Sequence, residues 1–193
     1  MTADPAQGDL FGALLDEEME VVEVVEVVEV VEVVEVVEVV AGKSIVVATD
    51  GSCLTNPGPG GWCWYSDDVC WAAGGEPDTT NNRMELMAVL EALRALPAER
   101  PIVIKADSSY TIDACTKWIH GWKRRGWKTA QRAPVKNREI IEAIDAVLAG
   151  RDVTFEWVKG HAGHELNEAA DERCRAAAEA VKAGKTVDTG PGW

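Results

Sequence analysis

Four carboxylates, each at the end or on the border of a different predicted element, are the side chains of this chain most able to do chemistry. Asp50 and Asp107 directly follow runs of β-branched and apolar residues. Glu85 and Asp171 lie on predicted helices. Carboxylates gathered from separate elements repel one another, and a fold normally tolerates that only where cations neutralise them. We therefore predict a divalent-metal site for a phosphodiester substrate, because paired metals stabilise both oxygens of an in-line displacement.

Each of these acids, taken alone, has a simpler explanation. Turns favour aspartate after a strand, and Glu85 could cap its helix together with Asn82. Asp171 shares a stripe with Cys174 and Ala178 at i, i+3, i+7 spacing, so it borders an apolar face where an acid needs a positive partner. Their joint occurrence favours the metal site. Oxygen-only ligands select hard cations, which indicates two Mg²⁺ ions, with Mn²⁺ as the alternative.

A histidine in a glycine-bounded loop is the next candidate for chemistry. His161 lies in the loop Gly160–Glu165, one element before Asp171. A mobile imidazole there could move protons or help the product leave. The alternative is an exposed loop histidine without a role in the reaction, and His164 is expected to hydrogen-bond within the loop.

A basic segment interleaved with tryptophans indicates a binding surface. From Lys117 to Arg138 the chain has eight Lys or Arg residues and no acid. Trp118 and Trp122 are i, i+4 neighbours on one predicted helix face. The residues that we assign to nucleic-acid binding are Trp118, Trp122, Lys123, Arg124, Arg125, Trp127 and Lys128. A solvated charged loop is the alternative, but the tryptophans favour sequence-independent binding of a phosphate backbone, which weakens as salt rises.

The formal charge of −14 is unevenly distributed over the 193 residues. Residues 1–43 hold twelve acids and one base, net −11, whereas residues 44–193 hold 21 acids and 18 bases, net −3. The second part is therefore compatible with a polyanionic partner. Five scattered cysteines without a CxxC pair favour reduced thiols in a cytoplasmic protein. We expect no signal peptide, because no basic stretch precedes an apolar run.

A Glu-Val-Val repeat occupies residues 20–40, with seven copies. We expect no membrane span, since each glutamate at the bilayer centre would cost about 2.5–3.5 kcal/mol. A period of three also fits neither a helix nor a strand. We predict that residues 1–43 are an acidic low-complexity extension, disordered or marginally helical. The alternative is a segment that binds an unknown partner or self-associates by strand pairing.

The elements that must position the acids alternate between strands and helices. Predicted strands are Ser44–Thr49, Trp62–Tyr65, Val69–Ala73, Ile102–Ala106 and Val153–Val158. Predicted helices are one around Leu86–Leu93, then Ser108–Trp122, Asn137–Leu148 and Asn167–Ala183. This order indicates an α/β fold with a mixed sheet flanked by helices, in which Asp50 and Asp107 end two strands. We place this domain at 44–183 and expect a flexible tail at 184–193.

Several longer motifs follow one another between residues 44 and 180. They are Thr49-Asp-Gly-Ser-Cys, Asn56-Pro-Gly-Pro-Gly-Gly, Thr80-Asn-Asn-Arg-Met-Glu-Leu-Met, Ala106-Asp-Ser, Trp118-Ile-His-Gly-Trp-Lys-Arg-Arg-Gly-Trp-Lys-Thr, Trp157-Val-Lys-Gly-His-Ala-Gly-His and Asn167-Glu. Together they closely resemble bacterial ribonuclease HI, the type 1 RNase H family. The resemblance implies an RNase H-like fold with a five-stranded mixed sheet. It also implies cleavage of the RNA strand of RNA–DNA hybrids, leaving 5′-phosphate and 3′-hydroxyl ends.

The resemblance also implies roles for individual residues. The acids that match metal-binding, catalytic carboxylates are Asp50, Glu85, Asp107 and Asp171. His161 matches a flexible-loop histidine linked to catalysis and product release. Residues that match contacts to the hybrid's minor groove, where 2′-hydroxyls distinguish RNA from DNA, are Cys53, Asn56, Asn81 and Asn82. Trp118–Lys128 resembles the basic protrusion that grips the DNA strand, which implies that no separate binding domain is needed.

A few positions depart from the family pattern, and none of them removes a metal ligand. Thr55 stands where glycine is usual, which could stiffen the first turn. Ser109 replaces a longer amide side chain and leaves one substrate contact in doubt. Glu165-Leu166 replaces the usual Pro-Glu, which could alter loop mobility near His161. The hairpin is also a few residues short.

Two other functions stay open at this point. One is a nuclease of the same superfamily that acts on another duplex, and the other is a non-catalytic module that binds hybrids. The minor-groove asparagines and the protrusion argue against the first, and the presence of all four acids argues against the second. We expect a cytoplasmic monomer that binds an RNA–DNA hybrid and no membrane.

Overall fold

The computed structural model describes residues 43–160 and 162–193, so the Glu-Val-Val repeat and His161 lie outside the described residues. The strands are β1 (Ile45–Cys53), β2 (Gly58–Asp67), β3 (Cys70–Thr79), β4 (Ile102–Ala106) and β5 (Val153–Trp157). The helices are α1 (Asn81–Ala95), α2 (Ser109–Asp113), α3 (Ile119–Arg124), α4 (Arg138–Leu148) and α5 (Glu165–Lys182). A π-helical turn, Ala114–Trp118, joins α2 to α3. Within the described ranges, no helix combines the length and the apolar character that a membrane span requires.

The five strands form one mixed sheet in the order β3-β2-β1-β4-β5, which confirms the predicted α/β fold class. The β1–β2 and β2–β3 pairs are antiparallel, and the β1–β4 and β4–β5 pairs are parallel. The sequence suggested that Asp50 ends its strand, but β1 continues to Cys53. Parallel pairing of β1 with β4 stops at Ala48, but β1 continues to Cys53 because β2 still supplies hydrogen-bonding partners. Asp50 therefore lies just beyond the point where β1 and β4 part.

Two packed layers cover the two faces of the sheet. Because successive strand residues point to opposite faces, Val47 and Ala48 belong to different layers. Val47 packs in a large apolar cluster with residues of α1 and α4, such as Leu86 and Ile141. Ala48 belongs to a cluster of small residues that includes Ala170 and other residues of α5. Small side chains bring α5 unusually close to the sheet, and α5 carries Asp171.

The C-terminal residues 184–193, which we expected to be a flexible tail, lie against β3 in the structure. The backbone N–H of Gly192 donates to the carbonyl oxygen of Trp71 at 2.9 Å, and the N–H of Ala73 donates to that of Thr189 at 3.4 Å. Val187 packs against the small-residue cluster beneath α5. The physical reason is that β3 is an edge strand, whose outward backbone groups have no strand neighbour in the sheet.

Candidate active site

Asp50 lies at the centre of the acidic cluster and is only 8% exposed. Its Oδ1 accepts a hydrogen bond from the backbone N–H of Gly51 at 2.7 Å, which favours the ionised form. Burial, and then the charge of Asp107, nevertheless raise the pKa of Asp50 from 3.8 to about 7. The charges of Asp171 and Glu85 add to this rise. The fold thus brings all four predicted acids close enough to interact at one place.

Glu85 reaches the cluster from α1 and is held by hydrogen bonds. Its Oε1 accepts from Nδ2 of Asn81 at 2.7 Å, and its Oε2 accepts from the hydroxyl of Thr111 at 3.1 Å. Burial raises the pKa of Glu85, while hydrogen bonds from Ser108 and Thr111 oppose the rise. Since α1 begins after Thr80, Glu85 lies beyond the N3 position that a capping box requires. Its carboxylate is therefore oriented within the site instead of capping the helix.

Glycine at position 51 is required by the crossing of β1 and α1. A Cβ atom at Gly51 would lie 2.5 Å from the carbonyl carbon of Met84 and would overlap the backbone nitrogen of Glu85. The glycine after Asp50 thus lets the second acid approach the first.

Asp107 directly follows β4 and borders the loop after β5. The indole N–H of Trp157 donates to the carbonyl oxygen of Asp107 at 3.0 Å. Gly160 lies beside the Asp107 carboxylate, which a Cβ atom at that position would overlap. The loop that contains His161 therefore starts next to the third acid.

Asp171 comes from α5 and completes the set from the opposite side of β1. One carboxylate oxygen each from Asp50 and Asp171 and the Sγ atom of Cys174 lie within 4.8 Å of one another. Nη2 of Arg175, one helical turn later, donates to both carboxylate oxygens of Asp171 at 2.8 Å. This guanidinium supplies part of the positive charge that the cluster needs.

The donor set fits a hard divalent cation. Burial, together with the charges of Asp50 and Asp171, raises the pKa of the Cys174 thiol far above its ordinary value. The thiol therefore stays protonated and is a poor ligand, which leaves carboxylate oxygens as the donors. Such donors suit Mg²⁺ or Mn²⁺. The raised pKa of Asp50 also reflects buried negative charge that a bound cation would relieve.

The approach of α5 to β2 depends on Gly61. A Cβ atom there would overlap the carbonyl oxygen of Cys174 and lie 2.7 Å from the backbone nitrogen of Ala178. The glycines and prolines of residues 56–61 are typical of a turn, but β2 begins at Gly58. Gly61 acts as a contact point for α5, which its local sequence does not reveal.

The residues that we assigned to contacts with the minor groove lie at the end of β1, in the β1–β2 connection and at the start of α1. The thiol of Cys53 donates to the carbonyl oxygen of Thr55 at 2.7 Å. Asn81 is engaged with Glu85. Asn56 and Asn82 line an open cavity of about 980 Å³ whose other wall is formed by the chain after α3. Asn81 thus contacts the acidic cluster, while Asn56 and Asn82 share a cavity with residues of the basic segment.

The basic segment has a buried and an exposed part. Trp122 is 8% exposed and belongs to the core, whereas Trp118 is 39% exposed, with the two ring centroids 5.7 Å apart. Lys123 forms an ion pair with Asp145 at 2.6 Å. The side chain of Arg125 donates to the carbonyl oxygen of Lys128 at 3.1 Å. Arg124 is exposed.

Trp127 connects the basic segment to α4 and to the chain before it. Its backbone has a φ of 60°, and the guanidinium of Arg138 lies 5.4 Å from its ring centroid. Its carbonyl oxygen accepts from the N–H of Val135 at 3.1 Å. Residues 125–137, which connect α3 to α4 within the basic segment, are therefore a folded loop attached to α4.

Sequence reasoning missed three residues that shape this site. Thr111 was hidden because its contact with Glu85 joins residues 26 positions apart. Arg175 could have been found from its i+4 spacing to Asp171. Arg173 gave no local signal, since its partners lie on the β2–β3 hairpin.

Comparison with known proteins assigns the chain to a family. The RNase H family model matches residues 42–179. Ribonuclease H of Tropheryma whipplei (strain Twist) is 47% identical over 152 residues, which cover 78% of this chain and 94% of that protein. Ribonuclease H of Rhizobium meliloti (strain 1021) is 49% identical over 149 residues, covering 76% of this chain and 97% of that protein.

A solved structure agrees with the sequence comparison. The crystal structure of LC9-RNase H1, a type 1 RNase H with the type 2 active-site motif, has 34% sequence identity and a TM-score of 0.61. The match covers 78% of this chain and 77% of that one. The resemblance read from the motifs is thereby confirmed, and the chain belongs to the RNase H family.

Proposed function

We propose that this chain is an endoribonuclease that hydrolyses the RNA strand of RNA–DNA hybrids and leaves 5′-phosphate and 3′-hydroxyl ends. The single observation that carries the proposal is the meeting of three carboxylates, from α1, α5 and the end of β4, around the buried Asp50 of β1. The names of the relatives, Ribonuclease H, support the substrate class.

The cofactor in this proposal is a pair of Mg²⁺ ions, which Mn²⁺ could replace. The four acids would hold them, and Asn81 and Thr111 keep the Glu85 carboxylate oriented for that purpose. When bound, paired ions of this kind stabilise the attacking and leaving oxygens of an in-line displacement. The raised pKa of Asp50 supports a cation requirement, because buried acids this close resist simultaneous ionisation.

The chain's own residues would bind and orient the hybrid. We assign the RNA strand to the side of Cys53, Asn56, Asn81 and Asn82, where polar groups can contact 2′-hydroxyls. The DNA strand is assigned to Trp118 and to the cations of the basic segment, because contacts with phosphates position a duplex without reading its sequence. His161 would move a proton or assist product release.

The test is a comparison of matched RNA–DNA, RNA–RNA and DNA–DNA duplexes with Mg²⁺. We expect cleavage of the RNA strand in the hybrid alone, with end analysis giving 5′-phosphates, and loss of cleavage when a chelator removes the metal. Cutting of another duplex would favour a superfamily nuclease of different specificity. Binding of the hybrid without cleavage would favour a non-catalytic module.

The cellular setting forms part of the proposal. We infer a cytoplasmic monomer, in which the free cysteines of the described part of the chain stay reduced. The domain would extend over 44–183, and the acidic extension 1–43 would lie outside the catalytic machinery. A partner for the Glu-Val-Val tract would recognise its acidic, valine-rich character.

A further inference from the structure

Arg173 lies two residues after Asp171 on α5 and stacks on the β2–β3 hairpin. Its guanidinium carbon is 4.4 Å from the ring centroid of Tyr65 and 4.8 Å from that of Trp71. Tyr65 and Trp71 are direct cross-strand partners, so together they form one aromatic platform. The helix that carries the fourth acid is therefore attached to the hairpin by a cation over two aromatic rings.

Hydrogen bonds fix the orientation of this guanidinium. Nη2 of Arg173 donates to Oδ1 of Asp68 at 3.0 Å, and the hydroxyl of Tyr65 donates to the same oxygen at 2.9 Å. Nη1 donates to the carbonyl oxygen of Ala169 at 3.1 Å. Because the Asp68 side chain is 85% exposed, its ion pair contributes little. The stacking on partly buried rings is the larger contribution.

The C-terminal segment 187–193 packs on the same tryptophan. At Gly190, whose φ is +71°, a Cβ atom would lie 2.6 Å from the carbonyl oxygen of Trp71 and 2.7 Å from its ring. The N–H of Gly192 donates to that same carbonyl at 2.9 Å. The tail therefore packs on Trp71, and the guanidinium of Arg173 stacks on the ring of the same tryptophan.

We call the stack of Arg173 on Tyr65 and Trp71 the clamp. The acidic cluster close to it indicates what the clamp does. One carboxylate oxygen of Asp171 lies within 4.8 Å of one of Asp50, so the two acids repel each other across the contact between α5 and β1. When no cation is bound, that repulsion favours a larger separation between α5 and β1. Because Arg173 lies two residues after Asp171, the clamp holds α5 on the hairpin close to the carboxylate that is repelled.

We propose that Arg173 is a positioning residue for Asp171, and that the tail supports it by holding Trp71. The clamp keeps the fourth carboxylate in place for metal binding. This inference rests on the proposed function, because it concerns the metal ions of the same site.

The primary test replaces Arg173 in the full-length chain with leucine and with lysine. The measurements are Mn²⁺ binding, followed by the electron paramagnetic resonance signal of free Mn²⁺, and the Mg²⁺ dependence of hybrid cleavage. Arg173→Leu should weaken Mn²⁺ binding and raise the half-saturating Mg²⁺ concentration about three- to tenfold, from loss of the cation–π contact. The maximal rate at saturating Mg²⁺ should stay within about twofold. Arg173→Lys should recover part of the affinity, since an ammonium also binds aromatic rings.

A second variant pair tests the tail without touching Arg173. Gly190→Ala places a methyl group against Trp71, whereas Gly184→Ala has a similar φ of +64° but open space around its Cβ position. Gly190→Ala should shift the metal dependence in the same direction as Arg173→Leu. Gly184→Ala should leave it unchanged.

The outcomes separate this inference from the proposed function. Unchanged Mn²⁺ affinity in folded Arg173→Leu and Gly190→Ala variants would overturn the clamp, even if both unfold at lower temperature. Mn²⁺ binding by a wild-type protein that cuts no hybrid would contradict the proposed function. Weaker Mn²⁺ binding in the two variants would still support the clamp in that case.

Discussion

Asp50 is the acid of the cluster whose burial most strongly opposes its ionisation. Its carboxylate is nearly enclosed, accepts one backbone hydrogen bond, and faces three other acids. Burial and like charge both favour the protonated form, and the single N–H bond does not offset them. The acid is suited to bind a cation because the metal-free site is electrostatically unfavourable at neutral pH.

This conflict predicts a specific pH dependence of stability for metal-free protein. Between pH 4 and 7 the unfolded state loses the Asp50 proton while the folded state retains it, so the free energy of unfolding falls as pH rises. Asp50→Asn cannot ionise. We expect the variant to become more stable than wild type across this window, by roughly 2–4 kcal/mol at pH 7. Urea unfolding with a chelator present measures the difference, and a constant difference from pH 4 to 7 would contradict the prediction.

The sequence predicted the acids of this site but not the residues that hold them. Asp50, Glu85, Asp107 and Asp171 occur in long motifs or at predicted element boundaries. The hydrogen bond from Thr111 to Glu85 depends on how α2 packs beside α1, which no local pattern encodes. Side-chain partners between distant elements require the fold.

At the scale of elements, the site depends on how closely α5 packs on the sheet. The contact surface is built from alanine, cysteine and glycine, and Gly61 meets the backbone of α5 directly. Adding side-chain volume there would move the whole helix and separate Asp171 from Asp50. The distance between two of the proposed metal ligands, Asp50 and Asp171, is therefore set by a glycine on a third element.

Gly61→Ala tests this dependence. The methyl group would overlap the Cys174 carbonyl, so we expect a loss of about 2 kcal/mol in the free energy of unfolding. Cleavage should fall by more than tenfold at low Mg²⁺ and recover partly at high Mg²⁺. Gly150→Ala is the control, because its Cβ lies in open space at a φ of +78°. The control should lose only about 1 kcal/mol of stability from backbone strain and keep full activity. Full activity of Gly61→Ala would contradict the argument.

The order of strands and helices could be predicted from the hydrophobic pattern, but their lengths could not. β1 continues beyond Asp50 because β2 pairs with it, and β2 starts inside the glycine-rich stretch that resembled a turn. The predicted helix Ser108–Trp122 contains a π-helical turn at Ala114–Trp118. In the two strands, pairing with neighbouring strands overrides the local preference of the residues.

At the scale of the whole molecule, charge is divided between two parts of the chain. The net charge of −11 on residues 1–43 contrasts with the basic segment from Lys117 to Arg138. An acidic extension repels a polyanion, and this repulsion weakens as salt rises. We therefore propose that the extension lowers the non-specific affinity of the protein for nucleic acid.

Deletion of residues 1–42 should leave catalysis intact. We expect the shortened protein to keep the wild-type maximal rate and to bind hybrid more tightly at low salt, with the difference vanishing at high salt. Binding and cleavage measured across a salt series provide the check. Loss of activity on deletion would show that the extension takes part in catalysis, and equal affinities at every salt concentration would exclude the repulsion.

The most direct test of the central claim is hybrid cleavage by Asp50→Asn with Mg²⁺, measured beside its affinity for the same hybrid. The substitution preserves side-chain shape and removes the charge of the most buried acid in the cluster. We predict binding within about twofold of wild type and a cleavage rate lower by at least 10³, as expected when transition-state stabilisation alone is lost. Cleavage at the wild-type rate would contradict the assignment of these carboxylates as the metal site.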